Sequence, residues 1–546
     1  MSIIRSNFTL IIASFMEDFV HLHVHTHYSI LDGQSKVSHL VDKAINNGMK
    51  GMAITDHGVM YGIKEFSDYC ASVNKKRKKD GLEPFKPILG CEMYVAHHHK
   101  EDKDKSAGDS SGYHLIVLAK NYHGYKNLIK LVSRSWVDGY YYKPRTDRYD
   151  LEKYHEDLIV SSACLGGEIP QKILAGDIKG AREAVEWYHN LFGDDFYLEL
   201  QRHQVTDPSL HANRETYPLQ QKVNKVLTQF AKEYGIKLIC TNDCHFEDKE
   251  TAEAHDHLLC LSTNKDLDDP TRMVYTKQEW FKTREEMNAI FSDIPEALSN
   301  TLEILDKVEV YSIDHGPIMP FFPIPESFGT EEEWHSKFTE EQLYKEFTTD
   351  ENGENPLPKD KADAVIERLG GYDKVYRIKF EADYLAKLAY DGARKRYGDP
   401  IPDEVKEHVK FELHVMKTMG FPGYFLIVQD FINAAREDLG VWVGPGRGSA
   451  AGSVVAYCLG ITKIDPLKYD LLFERFLNPD RVNLPDIDTD FDDDGRGKVL
   501  QWVMDKYGKD NCAHIITYSS MATKNSISDV ARVEKLPLAR SNELKK

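Results

Sequence analysis

The chain has 546 residues and a formal net charge of −19 at pH 7, and this length predicts two or three domains rather than one hydrophobic core. Charged residues make up 29% and hydrophobic residues 41%, which is ordinary for a globular protein, and no apolar run approaches the ~20 residues of a membrane-spanning helix. The net negative charge excludes a surface that binds nucleic acid non-specifically over its whole area, so any contact with DNA must come from local basic patches.

The cysteines and the first residues indicate the compartment in which the protein is expected. The eight cysteines lack paired short spacings, which favours a reduced, cytoplasmic protein over a disulfide scaffold. Residues 1–16 make a poor signal peptide because a strand pattern follows at once. We interpret them as an N-terminal extension and expect the natural start at Met16.

The first predicted strand, residues 19–29, alternates apolar residues with histidines. A period of two places His21, His23, His25 and His27 on one face of the strand. Neutral imidazoles bind first-row metals readily. Four on one strand face therefore favour a metal site over ordinary core or surface positions.

Short apolar strands that end in ligand-type side chains recur down the chain, with helical segments between them. They cover residues 53–58, 87–92, 113–118, 158–164 and 238–246. Such a series predicts a β/α barrel whose site lies at the C-terminal ends of its strands.

This series resembles the polymerase and histidinol phosphatase (PHP) domain, here residues 17–285. The resemblance implies an α/β fold, a distorted (β/α)7 barrel, with a trinuclear site for Zn²⁺ or Mn²⁺. By motif it implies nine metal ligands: His23, His25, Asp32, His57, Glu92, His114, Cys164, Asp243 and His245. Cys164 fits a packed core thiol equally well, and His21 and His27 are expected beside the site.

The middle of the chain is predicted to be largely helical. Residues 286–329 are expected to link the barrel to the next domain. Residues 330–378 are charged and loop-like around 348–358, and we interpret them as an insertion of unassigned function. Helical periodicity resumes at residue 380 and continues to 419.

Residues 444–453 read GPGRGSAAGS. Backbone N–H groups of such a loop can close around phosphate oxygens because few Cβ atoms obstruct them. Arg447 adds a cationic fork for the same oxygens. Taken alone, a small-residue loop is more often a tight turn or close helix packing.

Residues 485–491, PDIDTDF, predict a strand with Asp486, Asp488 and Asp490 on one face. Crowded carboxylates are costly unless a cation lies between them. By itself such a stretch is usually a solvated loop or a Ca²⁺ site. Following a phosphate-binding loop, it predicts Mg²⁺-dependent phosphoryl or nucleotidyl transfer.

Residues 419–432, the glycine-rich loop and residues 461–491 closely resemble the palm of bacterial DNA polymerase III alpha subunits, the C-family polymerases. The resemblance implies a partial, mixed α+β palm over residues 379–535. It implies that Asp486 and Asp488 hold two Mg²⁺ ions, with Asp490 ranked below them. It also implies the residues that line the triphosphate: Gly446, Arg447, Gly448, Ser449 and Ser453.

Beyond the aspartates, the sequence predicts a helix over 497–507, a strand over 514–518 and a helix towards Val533. Residues 536–546 would begin the next segment. In the family, a third catalytic aspartate, the fingers and the domains for the sliding clamp and single-stranded DNA lie downstream. The chain is therefore expected to be the N-terminal part of a longer protein, unable to extend a primer by itself.

The expected function is template-directed DNA synthesis, with a 3′–5′ exonuclease activity of the PHP domain as a hypothesis. The expected partners are primer–template DNA, dNTPs, the clamp and other replisome subunits through the missing C-terminal region, and a proofreading exonuclease subunit at the PHP domain, with no membrane. Two alternatives remain open: a metal-dependent phosphoesterase, or a metal-stabilised scaffold without hydrolysis.

Overall fold

The computed structural model describes residues 16–205, 215–315, 318, 320–478 and 485–546. All but the last residue of the predicted N-terminal extension lies outside this described part. The chain forms two compact units, one comprising residues up to 313 together with 519–546, the other residues 314–518. Across the described residues, no helix combines the length and apolar character that crossing a membrane requires.

The described residues of the first unit form eight strands. In chain order they are β1 (Gly51–Ile54), β2 (Lys86–Val95), β3 (Tyr113–Ala119), β4 (Tyr140–Tyr141), β5 (Lys143–Thr146), β6 (Leu158–Ser161), β7 (Phe196–Leu200) and β8 (Leu238–Cys240). β1, β6, β7 and β8 are buried along their whole length, as expected for strands covered on both faces.

The helices between and after these strands have the following bounds. They are α1 (Val37–Asn46), α2 (Ile63–Lys79), α3 (Tyr122–Val137), α4 (Arg148–Tyr154), α5 (Glu168–Leu174), α6 (Ile178–Phe192), α7 (Thr216–Tyr234), α8 (Ala252–Thr263), α9 (Arg284–Ile290) and α10 (Pro295–Lys307). α6 illustrates their packing, since it buries Ala181, Ala184, Val185 and Tyr188 at helical spacing. The side chain of Asp177 caps its first turn.

The strands pair in the order β4-β5-β2-β3-β6-β7-β8, with β1 also on β2. β3 runs antiparallel to both of its neighbours, β2 and β6, whereas the pairs β1–β2, β6–β7 and β7–β8 are parallel. This reversal distorts the barrel relative to an all-parallel one.

An extended segment, residues 20–25, closes the barrel. On one side, the N–H groups of Ala53 and Thr55 donate to the carbonyls of His21 and Val24. On the other side, the segment exchanges two hydrogen bonds with Cys244, just after β8. The segment and β1, β2, β3, β6, β7 and β8 thus make a seven-membered ring, which confirms the distorted (β/α)7 barrel. Of the strand predicted over residues 19–29, only this extended segment forms, because the backbone there makes few hydrogen bonds to each neighbour.

The second unit is built from helices. They are α11 (Glu331–Lys337), α12 (Glu340–Thr348), α13 (Lys359–Leu369), α14 (Tyr372–Tyr397), α15 (Asp403–Met419), α16 (Pro422–Glu437), α17 (Val454–Cys458) and α18 (Arg496–Tyr507). The main core lies between α14, α15, α16 and α17. The region 330–378 is more ordered than its charge suggests, since it forms three helices and a second, small core around Leu343, Phe347 and Val375.

Two of the predicted strands do not form. Residues 485–490 have no strand pairing, and Phe491 makes a single antiparallel bridge with Val443. Residues 514–518 are not part of any strand either, and Ile515 is 94% exposed. A strand needs a neighbour for its N–H and C=O groups, and none of the described residues supplies one. The helices predicted here do form, as α18 and as α19 (Thr523–Val533), followed by α20 (Leu538–Leu544).

Candidate metal centre and phosphate-binding loop

All nine side chains predicted as metal ligands meet at one end of the barrel. Each comes from a different point on the ring. His23 and His25 lie in the closing segment and Asp32 in the turn after it; His57 follows β1, Glu92 is in β2, His114 in β3, Cys164 follows β6, and Asp243 and His245 follow β8. β3 runs antiparallel to β2, so His114, near the start of β3, lies opposite the second half of β2.

Glu92 lies at the middle of the cluster and is 1% exposed. Its Oε1 is 3.3 Å from Nε2 of His23 and 2.8 Å from Nδ1 of His114. Its Oε2 is 3.6 Å from Nε2 of His25 and also contacts Nδ1 of His57. One carboxylate therefore faces four imidazoles, the position of a ligand that could bridge metals.

Asp243 provides the second central carboxylate. Its Oδ1 lies 3.0 Å from Nε2 of His23 and 3.2 Å from Nε2 of His25. Its backbone is left-handed, with φ of 49°, a conformation that Asp and Asn adopt more readily than most residues. This turn directs the carboxylate into the barrel while the chain continues to His245.

The remaining predicted ligands extend the cluster on two sides. Oδ2 of Asp32 is 3.1 Å from Nε2 of His57. Sγ of Cys164 is 3.5 Å from Nδ1 of His114, so this thiol lies at the site rather than in the distant core. Of the flanking histidines, His21 bonds through Nε2 to the carbonyl of Lys282.

Five buried polar atoms at the centre face one another at ion-pair distance but make no hydrogen bond of good geometry among the described residues. They are Nε2 of His23, Nε2 of His25, Nδ1 of His57, Oε2 of Glu92 and Oδ1 of Asp243. Leaving such groups unpaired costs about 1–3 kcal/mol each. Eight of the nine predicted ligands, all but Asp32, fall into three sets whose ligand atoms lie within 4.8 Å of one another: His25, His57 and His245; His23, His25 and Asp243; Glu92, His114 and Cys164. Imidazole, carboxylate and thiol donors so arranged fit divalent first-row metals.

The charges of the cluster also suit cations. Burial lowers the pKa of His25 to about 3, so its imidazole stays neutral and keeps a lone pair for a metal. Burial favours the neutral acid at Glu92 and Asp243, but the neighbouring imidazoles outweigh it and hold the pKa of both carboxyls well below the usual value. The centre thus combines a neutral imidazole at His25 with two buried anionic carboxylates. At His23 and His57 burial lowers the pKa, but the neighbouring carboxylates outweigh it and raise the pKa of His57 to about 10 and that of His23 well above its usual value, so a metal would have to displace protons there.

The sequence analysis missed a carboxylate behind the ligands. Glu199, in β7, accepts from Nδ1 of His23 at 2.8 Å and also receives the hydroxyls of Ser161 and Thr241. Such an outer contact fixes the tautomer and orientation of a metal-binding imidazole. The available signal was a glutamate inside the otherwise apolar strand FYLEL.

The centre opens into a cavity of about 230 Å³ whose wall includes His203 and Tyr275. The Tyr275 hydroxyl lies 3.2 Å from Oδ1 of Asp32 and 3.2 Å from Nε2 of His245. Burial and the nearby carboxylates raise its pKa well above the usual value. It therefore remains a neutral hydrogen-bond donor at the mouth of the site.

In the second unit, the glycine-rich loop folds against the aspartates. Gly446 and Gly448 have φ of 94° and 71°, where a side chain would be strained. Nη1 of Arg447 lies 2.9 Å from Oδ2 of Asp488, and its Nε lies 3.2 Å from Oδ2 of Asp490. The guanidinium thus contacts the carboxylates, and a phosphate would have to compete with them.

The other predicted loop residues differ in exposure. Asp486 and Ser449 are exposed, with Ser449 opening a short 3₁₀ turn. Ser453 is fully buried, and its hydroxyl donates to Oε2 of Glu412 at 2.7 Å. Glu412, on α15, also accepts the first N–H groups of α17, so Ser453 faces the interior rather than the open side of the loop.

Glu412 should make the stability of the second unit depend on pH. Burial raises its pKa to about 7, from a usual value of 4.5, so ionisation between these pH values favours the unfolded chain. This contribution to stability is present below pH 4.5, falls as the pH rises, and is lost above pH 7. In the unchanged chain, this ionisation lowers the free energy of unfolding between pH 5 and pH 8. We expect the decrease to be about 2–3 kcal/mol smaller in Glu412→Gln.

Chemical denaturation at the two pH values, followed by far-UV circular dichroism, measures this difference. Glu407→Gln is the matched control, because Glu407 lies exposed on the same helix. An unchanged pH dependence in Glu412→Gln would contradict the assignment.

Comparison with known proteins matches both units. Residues 21–203 match the family described as the PHP domain, and residues 383–546 match the bacterial DNA polymerase III alpha NTPase domain. A DNA polymerase III subunit alpha of Borreliella burgdorferi is 41% identical over 535 residues, which cover 98% of this chain and 40% of that protein. Those of Campylobacter jejuni and Thermus aquaticus are each 40% identical, covering 97% of this chain and 40% and 42% of their own lengths.

The chain thus spans about two fifths of the length of the curated relatives it matches. Within that span the similarity is continuous and includes both the barrel with its ligand cluster and the helical unit with its glycine-rich loop. The chain belongs to the family of bacterial DNA polymerase III alpha subunits.

Proposed function

We propose that this chain serves template-directed DNA synthesis in chromosome replication, as part of a DNA-directed DNA polymerase. The observation that supports this most is the identity of about 40% to alpha subunits over nearly the whole chain. The substrates would be primer–template DNA and dNTPs. A cytoplasmic location is part of the same proposal.

The glycine-rich loop and the aspartates would form the nucleotide end of the polymerase site. Asp486 and Asp488 would hold two Mg²⁺ ions, and Gly446, Arg447, Gly448 and Ser449 would hold the triphosphate. Ser453, which is buried against Glu412, would support the loop from behind. The contact between Arg447 and Asp488 supports this grouping. Arg447 would turn from Asp488 to the phosphate oxygens of a bound nucleotide, which would leave the Asp488 carboxylate available to hold Mg²⁺.

Arg447→Ala should therefore weaken nucleotide binding. Charge-assisted hydrogen bonds contribute about 1.5–3 kcal/mol, so we expect roughly 10- to 150-fold weaker binding of a fluorescent dNTP in the presence of Mg²⁺. Arg540→Ala, an exposed arginine in the other unit, is the control. Equal affinity of the Arg447→Ala variant and the unchanged chain would count against the loop as the triphosphate site.

We further propose that the barrel hydrolyses phosphodiesters, as a 3′–5′ exonuclease. The supporting observation is the convergence on one point of five buried polar atoms that make no hydrogen bond of good geometry among the described residues. Three sets of ligands with mixed nitrogen, oxygen and sulfur donors differ from the closed four-ligand shell of structural zinc. Zn²⁺ or Mn²⁺ would suit them.

Bound cations would lower the pKa of a water into the neutral range and hold the phosphodiester from both sides. The chain's own groups would do the rest. Glu199 would keep His23 oriented, and the buried wall of the cavity would exclude bulk water. Tyr275, which stays protonated beside Asp32 and His245, could donate a hydrogen bond to a phosphate oxygen.

The test is to incubate the chain, loaded with Mn²⁺ or Zn²⁺, with a 5′-labelled primer that has a 3′ mismatch. Stepwise loss of 3′ nucleotides, stopped by a chelator and absent in His23→Ala, is the expected result. No cleavage by a chain shown to contain metal would leave the barrel as a metal-stabilised scaffold. The sliding clamp and a proofreading exonuclease subunit remain proposed partners of the whole protein.

A further inference from the structure

A group of aromatic side chains lies exposed beside the metal centre. Trp136 at the end of α3, Tyr140 in β4 and Tyr142 in the turn before β5 are 40%, 48% and 59% exposed. We call these three residues the aromatic platform. Large exposed aromatic side chains grouped in this way mark binding sites more often than chance surface positions.

The platform is held in place rather than loosely displayed. The rings of Trp136 and Tyr140 stack 5.3 Å apart at an angle of 14°. Nε1 of Trp136 donates to the carbonyl of Gly58 at 2.8 Å. Tyr142 has a left-handed backbone, with φ of 63°, and its ring lies edge-on to that of Tyr141 at 4.8 Å.

The same contacts tie the platform to the metal centre. Gly58, which accepts the Trp136 bond, directly follows His57 in the chain. Lys143, next to Tyr142, places its ammonium 5.2 Å from the ring of Tyr94. The Tyr94 ring is in turn 5.1 Å from that of His114. The platform is thus linked to His57 through Gly58, and to His114 through Lys143 and Tyr94.

Cations accompany the rings. Besides Lys143, the ammonium of Lys105 lies 5.6 Å from the ring of Tyr142. Of the acidic groups on the same segments, Asp138 pairs with Arg134, and Asp104 accepts from Ser106. In a chain with a net charge of −19, this combination of flat rings and ammonium groups fits an anionic ligand with flat bases.

We propose that the aromatic platform binds single-stranded DNA, stacking bases on its rings and contacting the phosphates through Lys143, so that the 3′ end of the strand reaches the metal centre. Stacking on aromatic side chains with nearby cations is how proteins hold single strands without sequence preference. The direction of the strand rests on the proposed hydrolytic function, whereas binding to the platform does not.

Fluorescence anisotropy of a labelled 12-nucleotide strand, with the 546-residue chain, tests the binding. Tyr142→Ala and Trp136→Ala should each weaken binding about 5- to 100-fold, the range for loss of one stacked base. Lys143→Ala should lower the slope of log affinity against log salt by about 0.7. Tyr122→Ala is the matched control, because Tyr122 is 40% exposed on the same helix, roughly 21 Å along its axis.

Cross-linking separates the platform from DNA binding by the other unit. A strand with 4-thiothymine near its 3′ end should cross-link to residues 136–143 upon irradiation. Affinities unchanged in all platform variants, or cross-links confined to other segments, would overturn the proposal and leave this surface to a protein partner.

A third measurement keeps this proposal distinct from that of hydrolysis. In Tyr142→Ala, KM for the strand should rise 5- to 100-fold, while hydrolysis of bis(p-nitrophenyl) phosphate, which is too small to reach the platform, stays unchanged. If the chain hydrolyses neither substrate, the hydrolytic proposal fails, and the binding and cross-linking results still decide the platform.

Discussion

Glu92→Ala should abolish the metal-dependent stabilisation of the barrel. In the unchanged chain, a metal present at 1,000 times its Kd adds about 4 kcal/mol to the free energy of unfolding. This corresponds to a rise in Tm of roughly 8–16 °C for a domain of this size. Without Glu92, four imidazoles lose the carboxylate they share, and we expect no metal-dependent rise. Thermal unfolding with and without Mn²⁺, together with elemental analysis, measures the effect.

Glu168→Ala is the matched control for this experiment. Glu168 is also a barrel carboxylate, 7% exposed, but it pairs with Arg148 and Lys172 instead of the cluster. Its loss should lower the Tm with and without metal by the same amount. A Glu92→Ala variant that keeps one or more equivalents of metal and the full shift would show that the ligand assignment is wrong.

Asp243→Asn should reduce metal-dependent phosphodiester hydrolysis by at least 100-fold. Mutating a group that hydrogen-bonds to a metal ligand typically lowers metal affinity or activity 10- to 100-fold. A larger loss is expected at Asp243, because its Oδ1 lies among the predicted ligand atoms themselves. An amide removes the negative charge but keeps the size. Because Asn also adopts left-handed backbone readily, the turn at φ 49° should be preserved, so that the loss reports on chemistry rather than folding.

Asp157→Asn makes a close control. Asp157 has a φ of 57°, so the same substitution is made in the same backbone conformation. Its carboxylate pairs with His123 at the surface and belongs to none of the ligand sets. Initial rates on a 5′-labelled strand should match the unchanged chain for Asp157→Asn. Equal rates for the two variants would contradict a role for Asp243 in hydrolysis.

The ligand cluster was predictable because its residues follow local patterns. Alternating histidines near residue 23 and ligand-type residues at the ends of the apolar strands indicated a metal site, and the resemblance to the PHP domain selected the nine candidates, which the structure brings together. The role of Glu199 could not be predicted, because nothing in the sequence says which histidine nitrogen it contacts across the barrel. Contacts between residues far apart in the chain need the fold first.

The second unit was less predictable, for physical reasons. The alternation of Asp486, Asp488 and Asp490 suggests a strand, but pairing requires a neighbouring strand that the described residues do not provide. The loop's glycines permit backbone conformations that other residues avoid, and Gly446 and Gly448 do have positive φ values, whereas phosphate binding by the loop stays a prediction. The burial of Ser453 against Glu412 depends on a partner 41 residues away, beyond the reach of a local pattern.

The closing segment has a consequence for how the protein is made. His21 and Cys244, which meet where the barrel closes, are 223 residues apart. At a synthesis rate of 5–20 residues per second, the first histidines wait roughly 10–45 s on the ribosome before the residues that complete their metal site exist. Until then the closing segment lacks its hydrogen-bond partner at Cys244, and the predicted ligands Asp243 and His245 have not been made. The order of translation thus makes metal capture one of the last steps of barrel assembly.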